Sequence, residues 1–183
     1  NLTNIDKSSS NLELKKLDKR FENLKKIQSV FLNCYYNSSD TNELFSTLNS
    51  NKRTDFSRYN YFHASYAISI GKINEAKSIV QSALKLYPRN LLLNQYKIDL
   101  NELKNIDAFD CRKEKHVAAE ILYITANALS SQSLYSLSNF YLNLAKFLNE
   151  DFHSFETLLA ENFYKTNNFE DAKANNIGSI LEK

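Results

Sequence analysis

Glycine and proline are scarce in this sequence, whose 183 residues include 2 glycines and 1 proline. Hairpins and β-sandwiches need many turns that are built on these two residues, so their scarcity argues against an all-β fold. The sequence also lacks a run of about 20 apolar residues, which is the length of a helix that spans a bilayer. It therefore predicts an all-α protein without a transmembrane segment.

Neither sign of charge is in excess, because 23 basic residues face 21 acidic ones and the formal net charge is +2. Lysines are dense between residues 15 and 26, but acidic residues are threaded through them, as on a solvated face with mixed ion pairs. A protein that binds nucleic acid usually carries a separate basic patch. We therefore expect no nucleic-acid partner.

Cysteine occurs twice, as Cys34 and Cys111, far apart in the sequence. A disulfide between them is possible, but two cysteines in a chain of this size are more often unpaired and buried. We therefore expect two free thiols. Scarce cysteine fits the cytoplasm and equally fits a periplasmic protein without disulfides. Because the sequence begins with Asn1 rather than methionine, its first residues predict no compartment.

The common catalytic and nucleotide-binding motifs are missing: GxGxxG, GxxxxGK[ST], HExxH, GxSxG and CxxC do not occur. The histidines, His63, His116 and His153, fall in different predicted elements. His116 and Glu120 have the spacing of two metal ligands on one helix face, but a histidine at an ordinary helix start explains this spacing far more often. The sequence therefore predicts no enzyme, no metal and no cofactor.

Apolar residues recur at intervals of three and four, the spacing of helices that bury one face. Residues 1–10 are polar and are predicted to be a disordered tail, and residues 11–50 to form N-terminal helices. The first of these helices should run from Asn11 to about Cys34. Its apolar face should include Leu12, Leu17, Phe21, Leu24, Ile27, Val30 and Phe31. Further helices are predicted at 42–48, 57–70, between Gly71 and Pro88, and at 91–103, 116–130, 134–148, 155–166 and 169–181. The apolar face of the helix at 134–148 should include Leu134, Leu137, Tyr141, Leu144, Ala145 and Leu148.

The stretch Tyr61–Asn90 has the pattern of a helix-turn-helix pair. Gly71 can adopt the left-handed backbone that ends one helix, and Pro88 cannot continue the second. The small residues Ala76 and Ala83 let the two helices approach closely. These residues at these offsets resemble the tetratricopeptide repeat (TPR), a helix-turn-helix of about 34 residues.

The same pattern restarts at Ala119 and again at His153, one full repeat length further on, and this step is the most specific feature of the sequence. The matching positions are Leu122, Ala126, Ser138 and Ala145, and then Leu159, Ala160, Phe163, Phe169 and Ala172. The resemblance covers residues 57–181. It implies a right-handed α-α superhelix of antiparallel helix pairs, with about eight helices in a single TPR-like domain over residues 1–183.

The run HVAAEILYITANAL additionally resembles a helix of TPR proteins from alphaproteobacteria. The abundant Asn, Lys, Ile and Tyr fit an AT-rich genome and weakly indicate a bacterium. Because such repeat proteins are often exported, the resemblance slightly favours the cell envelope over the cytoplasm.

The segment Lys104–Lys115 interrupts the repeat, because only one helix is evident where a full repeat needs two. Its charges and lack of an apolar stripe predict an exposed, protease-sensitive loop between two packed blocks, residues 57–103 and 116–181. The alternative is a short helix at about 107–112 that is anchored by Phe109 and completes the repeat.

TPR proteins bind other proteins, so the resemblance implies a non-catalytic scaffold whose concave groove holds a partner protein or an extended peptide. The alternative is a structural segment of a longer repeat protein with no ligand of its own. In this family the first helix of each pair lines the groove, and Tyr among hydroxyls and amides suits peptide binding. The competing expectation is a groove that the N-terminal helices close. The matching groove positions are Arg58, Tyr61, Ser65, Glu120, Tyr123, Asn127, Ser131, Thr157, Glu161, Tyr164 and Lys165.

Overall fold

In a computed structural model, which describes residues 7–50, 56–104 and 106–181 (without the side chains of 176–181), the chain is all-helical, as the sequence predicts. It divides into two compact units, Asn1–Lys113 and Glu114–Lys183. No strand occurs within the described ranges. The helices are α1 (Lys7–Lys16), α2 (Glu22–Tyr35), α3 (Thr41–Asn49), α4 (Tyr59–Ser69), α5 (Ile73–Leu86), α6 (Leu91–Glu102), α7 (Glu114–Ser131), α8 (Tyr135–Leu148), α9 (Ser154–Lys165) and α10 (Phe169–Leu181).

The predicted N-terminal tail is wrong for residues 7–10, which begin α1, whereas residues 1–6 lie outside the described part of the chain. The single helix predicted from Asn11 to Cys34 is also wrong, because it breaks near Asp18. The Asp18 carboxylate accepts a hydrogen bond from the Arg20 backbone N–H at 2.8 Å and caps a short 3₁₀ turn. Such a local bond offers the backbone an alternative to the helix.

The break also interrupts the apolar stripe that the sequence predicts for this helix. Leu12 is 57% exposed and Phe21 is 49% exposed. From Ile27 onward the stripe is buried, as predicted, and Val30 and Phe31 are 3% and 1% exposed. Only the second half of the predicted helix therefore contributes to the core.

Phenylalanine side chains form the core of the first unit. The Phe31 ring of α2 lies 6.4 Å from that of Phe45, 5.4 Å from that of Phe62 and 5.7 Å from that of Phe109, between ring centroids. All four residues are at most 1% exposed. Burial of each such side chain contributes about 1.5–3 kcal/mol, so this cluster holds α2, α3, α4 and the region around Phe109 together.

One type of turn recurs at the ends of α2, α4, α6, α7 and α9. A residue with positive φ is followed by a residue whose N–H donates to the carbonyl five positions earlier, which is a Schellman motif. These bonds measure 2.8–3.0 Å, as from Lys72 to Ala67 and from Asn168 to Phe163. The positive-φ residues are Asn37 (51°), Gly71 (80°), Leu103 (56°), Ser133 (62°) and Asn167 (61°).

Two pairs of these turns repeat the sequence period. The offset from Asn37 to Gly71 equals the offset from Ser133 to Asn167, and both equal the step from Ala119 to His153. The starts of α8 and α10, at Tyr135 and Phe169, are separated by the same interval. The period of the sequence is therefore also a period of the backbone.

The turn at Leu103 is not followed by a helix within the described residues of the 104–113 segment. The segment nevertheless packs on the first unit, since Phe109 is 1% exposed and Cys111 is 2% exposed. The expectation of an exposed loop is therefore wrong. The alternative, a helix at 107–112, is also wrong, but Phe109 does anchor the segment as that alternative proposed. The boundary between the two units falls directly after this segment, at Lys113.

Cys34 and Cys111 form a disulfide, with 5.8 Å between their Cα atoms, so the expectation of two free thiols is wrong. The reason lies in the adjacent packing. Phe31, one turn before Cys34, contacts Phe109, two residues before Cys111. This contact between distant parts of the chain brings the two cysteines together.

In the second unit α7 packs on α8, α8 on α9, and α9 on α10. Small side chains lie in these contacts, since Ala126, Ser138 and Ala145 are all 0% exposed. The face predicted for α8 is only partly buried: Leu134, Leu137 and Leu144 are 49%, 47% and 38% exposed. Of the predicted residues, Ala145 is fully buried, and it lies on the packed side of α8 together with Leu142, which the predicted face did not include.

Candidate functional site

The predicted groove residues fall in both units. Arg58, Tyr61 and Ser65 belong to α4 or its N-cap in the first unit. The other residues belong to α7 and α9 in the second unit. The two sets have different surroundings.

Tyr61 and Ser65 do not line an open surface, since each is 3% exposed. The Tyr61 ring lies 4.4 Å from the Tyr96 ring, between centroids. Burial raises the pKa of Tyr61 well above its ordinary value, with the Tyr96 hydroxyl adding to this effect. Tyr61 is therefore a neutral core side chain and not a peptide contact.

The chain itself covers this part of α4. The Ser65 hydroxyl donates to the Phe109 carbonyl at 2.5 Å, and the Tyr96 hydroxyl donates to the Ile106 carbonyl at 3.0 Å. The Phe109 ring lies 4.4 Å from the Phe62 ring, between centroids. Hydroxyls of α4 and α6 thus bind backbone carbonyls of residues 106–109, as they would bind those of a foreign peptide. A covered groove was one of the expectations, but the cover is this segment and not the N-terminal helices.

Arg58 is half-buried, and its guanidinium carbon lies 5.3 Å from the centroid of the Phe62 ring. This is the geometry of a cation–π contact, which is stronger where water is partly excluded. Arg58 thus stabilises the start of α4 over the aromatic core.

His63 is a structural histidine that joins α4 to α3. It is 6% exposed, its Nε2 lies 2.7 Å from the Asn42 Oδ1, and its ring stacks on Phe45 with centroids 5.2 Å apart. Burial lowers the pKa of His63 from 6.5 to about 4, so the ring is neutral at pH 7.

Glu120 and Tyr123 of α7 are also less accessible than the groove prediction requires. Glu120 is 0% exposed. Tyr123 is half-buried, and its ring lies 5.7 Å from the Phe155 ring of α9, between centroids. Glu120 therefore belongs to the interior of the second unit, and Tyr123 lies at the edge of that interior.

The remaining six candidate residues are exposed, two on α7 and four on α9. The helices α7 and α9 contact each other. Tyr164 is 67% exposed, and its ring lies 5.5 Å from Phe169 in an edge-on arrangement. Lys165 Nζ lies 2.6 Å from Glu161 Oε1, and this hydrogen bond raises the pKa of Lys165. We call this set the α7/α9 surface, and its members are Asn127, Ser131, Thr157, Glu161, Tyr164 and Lys165.

A buried polar network joins α7, α8 and α9, and sequence analysis missed it. Asn162 is 0% exposed, and its amide nitrogen donates to Ser138 Oγ and to Asn139 Oδ1, each at 2.8 Å. Its Oδ1 accepts from the Ser130 hydroxyl at 2.5 Å. The signal in the sequence is an asparagine at the fourth position of the stripe Phe155, Leu158, Leu159, Asn162, where an apolar residue is expected. The network fixes α7, α8 and α9 relative to one another within the second unit.

An ion pair between a half-exposed lysine and a buried glutamate joins α8 to α9 in the same unit. Glu156 is 5% exposed, and its Oε1 lies 2.5 Å from the Lys146 ammonium. His153 Nδ1 lies 3.6 Å from the other carboxylate oxygen. A buried carboxylate needs such a partner because desolvation of a lone charge is costly. The pair is therefore a structural feature that helps to fix α9 on α8.

Within the described residues, no group of three or more His, Cys, Asp or Glu side chains could hold a metal ion. The Cys111 sulfur is part of the disulfide and is therefore not available as a metal ligand. A surface depression of about 310 Å³ at the turn between α5 and α6 is lined by Ser57 and by residues 87–90, none of which is a candidate residue.

In the part of the chain that the structure describes, no helix has both the length and the apolar character needed to cross a bilayer. No protein-family model, no curated protein and no solved structure matches the chain. The choice between a binding scaffold and a structural segment therefore depends on the chemistry of the described surfaces.

Proposed function

We propose that the chain is a non-catalytic scaffold of TPR-like helix pairs that binds a partner protein through the α7/α9 surface. The observation that carries this proposal is that Tyr164 is 67% exposed on α9, which contacts α7, and that the two helices also expose amide and hydroxyl side chains at the predicted groove positions. Tyrosine offers a large contact area and a hydrogen bond at a low cost in conformational entropy, which makes it a frequent anchor in binding surfaces.

The backbone period supports the TPR-like part of the proposal. The turns at Ser133 and Asn167, and likewise the starts of α8 and α10, are separated by the length of one such repeat. Ala126, Ser138 and Ala145 are buried where the helices meet, as the repeat requires. By the same comparison, α6 is the first helix of a pair whose second helix is replaced by the packed segment 104–113.

The same observations make the second unit the binding unit. Tyr61 and Ser65 of the first unit are covered by the chain's own residues 106–109. The α7/α9 surface carries one acidic and one basic residue, Glu161 and Lys165, which pair with each other. A surface of this composition suits an uncharged or weakly charged polypeptide and not an anionic polymer.

The disulfide bears on the compartment in which this scaffold works. Cys34 and Cys111 are 0% and 2% exposed and are bonded to each other. Disulfides persist in oxidising compartments and are rare in the cytosol. This pairing therefore favours an extracytoplasmic location. The sequence resemblance also slightly favours the cell envelope.

The test is affinity capture with a photo-cross-linking residue in place of Tyr164, followed by identification of the cross-linked protein. A matched control carries the same residue at Leu86, which is 75% exposed on α5, whereas Tyr164 is 67% exposed. The proposal expects one dominant adduct at position 164 and none at 86. The protein identified in this way should bind the Tyr164→Ala variant about 10-fold or more weakly than it binds the wild-type chain.

Two results count against the proposal. A partner that binds equally well to Tyr164→Ala and to the wild-type chain would place the binding surface elsewhere. A folded chain that yields no adduct at position 164 would favour the alternative, a structural segment of a longer repeat protein.

A further inference from the structure

Helix α8 is apolar on two opposite sides, and only one of them is packed. Its buried side consists of Ser138, Leu142 and Ala145, each 0% exposed. A contiguous apolar side of a helix is normally covered, and where it is exposed it marks an interaction site. The exposed side of α8 carries Leu137 (47% exposed), Phe140 (57%), Leu144 (38%) and Phe147 (74%).

The spacing of these four residues is that of a helix–helix seam. They follow one another at intervals of three, four and three residues, which are the a and d positions of a heptad pattern. Leucine and phenylalanine alternate along the seam. We call these four residues the α8 seam.

We propose that the α8 seam is a homodimer interface, in which the α8 helices of two copies pack antiparallel about a two-fold axis between Phe140 and Leu144. In this arrangement Leu137 of one copy faces Phe147 of the other, and Phe140 faces Leu144. Each large ring then meets a smaller side chain, which is how facing layers interdigitate without voids. The seam is therefore complementary to itself when the helices run in opposite directions, and a two-fold contact requires such self-complementarity.

Charge also favours a second copy as the occupant. Lys146 is the one charged residue in the α8 sequence, and its ammonium is bound to the buried Glu156 carboxylate. Two α8 seams can therefore approach each other without like-charge repulsion. Asn143 is exposed beside the seam, and its side-chain amide can take part in a hydrogen bond across a symmetric contact.

The area is sufficient for a specific contact. A fully exposed Phe or Leu side chain offers about 150–200 Å², so the α8 seam and the adjacent Leu134 expose on the order of 400–500 Å² in one copy. Two copies with their polar flanks reach the roughly 1,000 Å² that separates specific interfaces from incidental contacts. An interface at this small end is expected to dissociate in the micromolar range, so the dimer should depend on concentration.

The interface lies on α8, whereas the proposed partner surface lies on α7 and α9. Dimerisation is therefore an inference beyond the proposed function, and either of the two can fail without the other.

The test is sedimentation velocity of the full chain, whose monomer mass is 21.2 kDa, at concentrations from about 1 to 200 µM. The wild-type chain should pass from monomer to dimer over this range. Phe140→Asp should weaken the dimer about 30-fold or more, because it places a carboxylate in an apolar contact. Leu86→Asp is the matched control on α5, since Leu86 is 75% exposed and should leave the dimer unchanged. Circular dichroism checks that both variants keep the helical content of the wild type.

A pair of variants tests the direction of packing. Leu144→Lys should also remain monomeric alone, but a mixture of Phe140→Asp and Leu144→Lys should form a heterodimer. In the antiparallel seam the new aspartate faces the new lysine, while Leu144 of the first variant still faces Phe140 of the second. A parallel seam would place the aspartate against Phe140 and gain nothing.

Three outcomes would overturn the proposal. They are a wild-type chain that stays monomeric up to about 200 µM, a dimer that Phe140→Asp does not weaken, and a failure of the two charged variants to combine. A monomer would mean that something other than a second copy covers the α8 seam, such as a different protein or another part of the chain.

Discussion

The side-chain amide nitrogen of Asn162 lies 2.8 Å from the Ser138 hydroxyl oxygen, and this hydrogen bond joins α9 to α8 where neither residue is exposed to water. Ser138 in turn donates to the Ala126 carbonyl of α7 at 2.8 Å. A buried polar network of this kind stabilises only while every member keeps its partners. Asn162 is therefore the residue on which the geometry of the second unit depends most.

We predict that Asn162→Ala lowers the free energy of unfolding by about 2–4 kcal/mol, because it removes the acceptor of the Ser130 hydroxyl and the donor to Asn139 Oδ1 and opens a cavity. Chemical denaturation followed by circular dichroism measures the change. Asn127→Ala is the matched control, since Asn127 is exposed on α7, and it should alter the free energy by less than about 0.5 kcal/mol. Equal midpoints for the two variants would show that the network contributes nothing.

The small side chains between the helices give a second prediction. Ala145→Leu and Ala83→Leu should each lower the stability by about 1–3 kcal/mol, because these sites are 0% and 4% exposed and have no room for a larger side chain. Ser138→Leu should cost at least as much, since it also breaks the network. Ala128→Leu, at an exposed position of α7, should be close to neutral. An unchanged melting temperature for both Ala145→Leu and Ala83→Leu would remove the basis for the repeat alignment.

A third prediction concerns the packed segment 104–113. The double variant Cys34→Ser/Cys111→Ser should lose about 2–4 kcal/mol of stability, as expected for the loss of a disulfide between distant residues. In the oxidised wild-type chain, trypsin should cut slowly after Arg112 and Lys113, because the backbone beside them is held by Phe109 and Cys111. In the double variant, or after reduction, cleavage there should be faster. Rapid cleavage of the oxidised wild-type chain at these sites would contradict the packed segment and support the exposed loop predicted from the sequence.

A fourth prediction concerns pH and His63. Its pKa is about 4 in the folded chain and about 6.5 when unfolded, so the unfolded state binds more protons between these values. The contribution of His63 to the free energy of unfolding is therefore fully present above about pH 6.5 and is lost as the pH drops toward 4. The loss at pH 4.5 should be about 2–3 kcal/mol relative to pH 7. His63→Gln should remove this part of the pH dependence, as urea denaturation at the two pH values would show. A pH dependence equal to that of the wild type would assign the effect to other groups.

The helices and their period could be predicted from the sequence because both are local. Gly71 and Pro88 mark the ends of α4 and α5, and the repeat step from Ala119 to His153 reappears in the backbone turns. The break at Asp18 could not be predicted in this way. It depends on one side-chain hydrogen bond, to the Arg20 N–H, within an otherwise helical pattern.

The surroundings of the candidate residues depend on contacts between distant parts of the chain, which periodicity does not contain. Ser65 has the position of a groove residue, but the Phe109 backbone covers it. The disulfide follows from the packing of Phe31 on Phe109, and that contact has no local signature. Similarly, the spacing of apolar residues on α8 indicates two possible faces and does not say which one is packed.

The most direct test of the proposed function is hydrogen–deuterium exchange of the full chain, alone and with the partner identified by cross-linking. We predict slower exchange in the C-terminal half of α7, from Asn127 to Ser131, and along α9, from Thr157 to Lys165, when the partner is bound. Exchange in α4 and in the segment 106–111 should not change, because the chain already covers itself there. Protection confined to α4, or absent from both α7 and α9, would contradict the assignment of the binding surface.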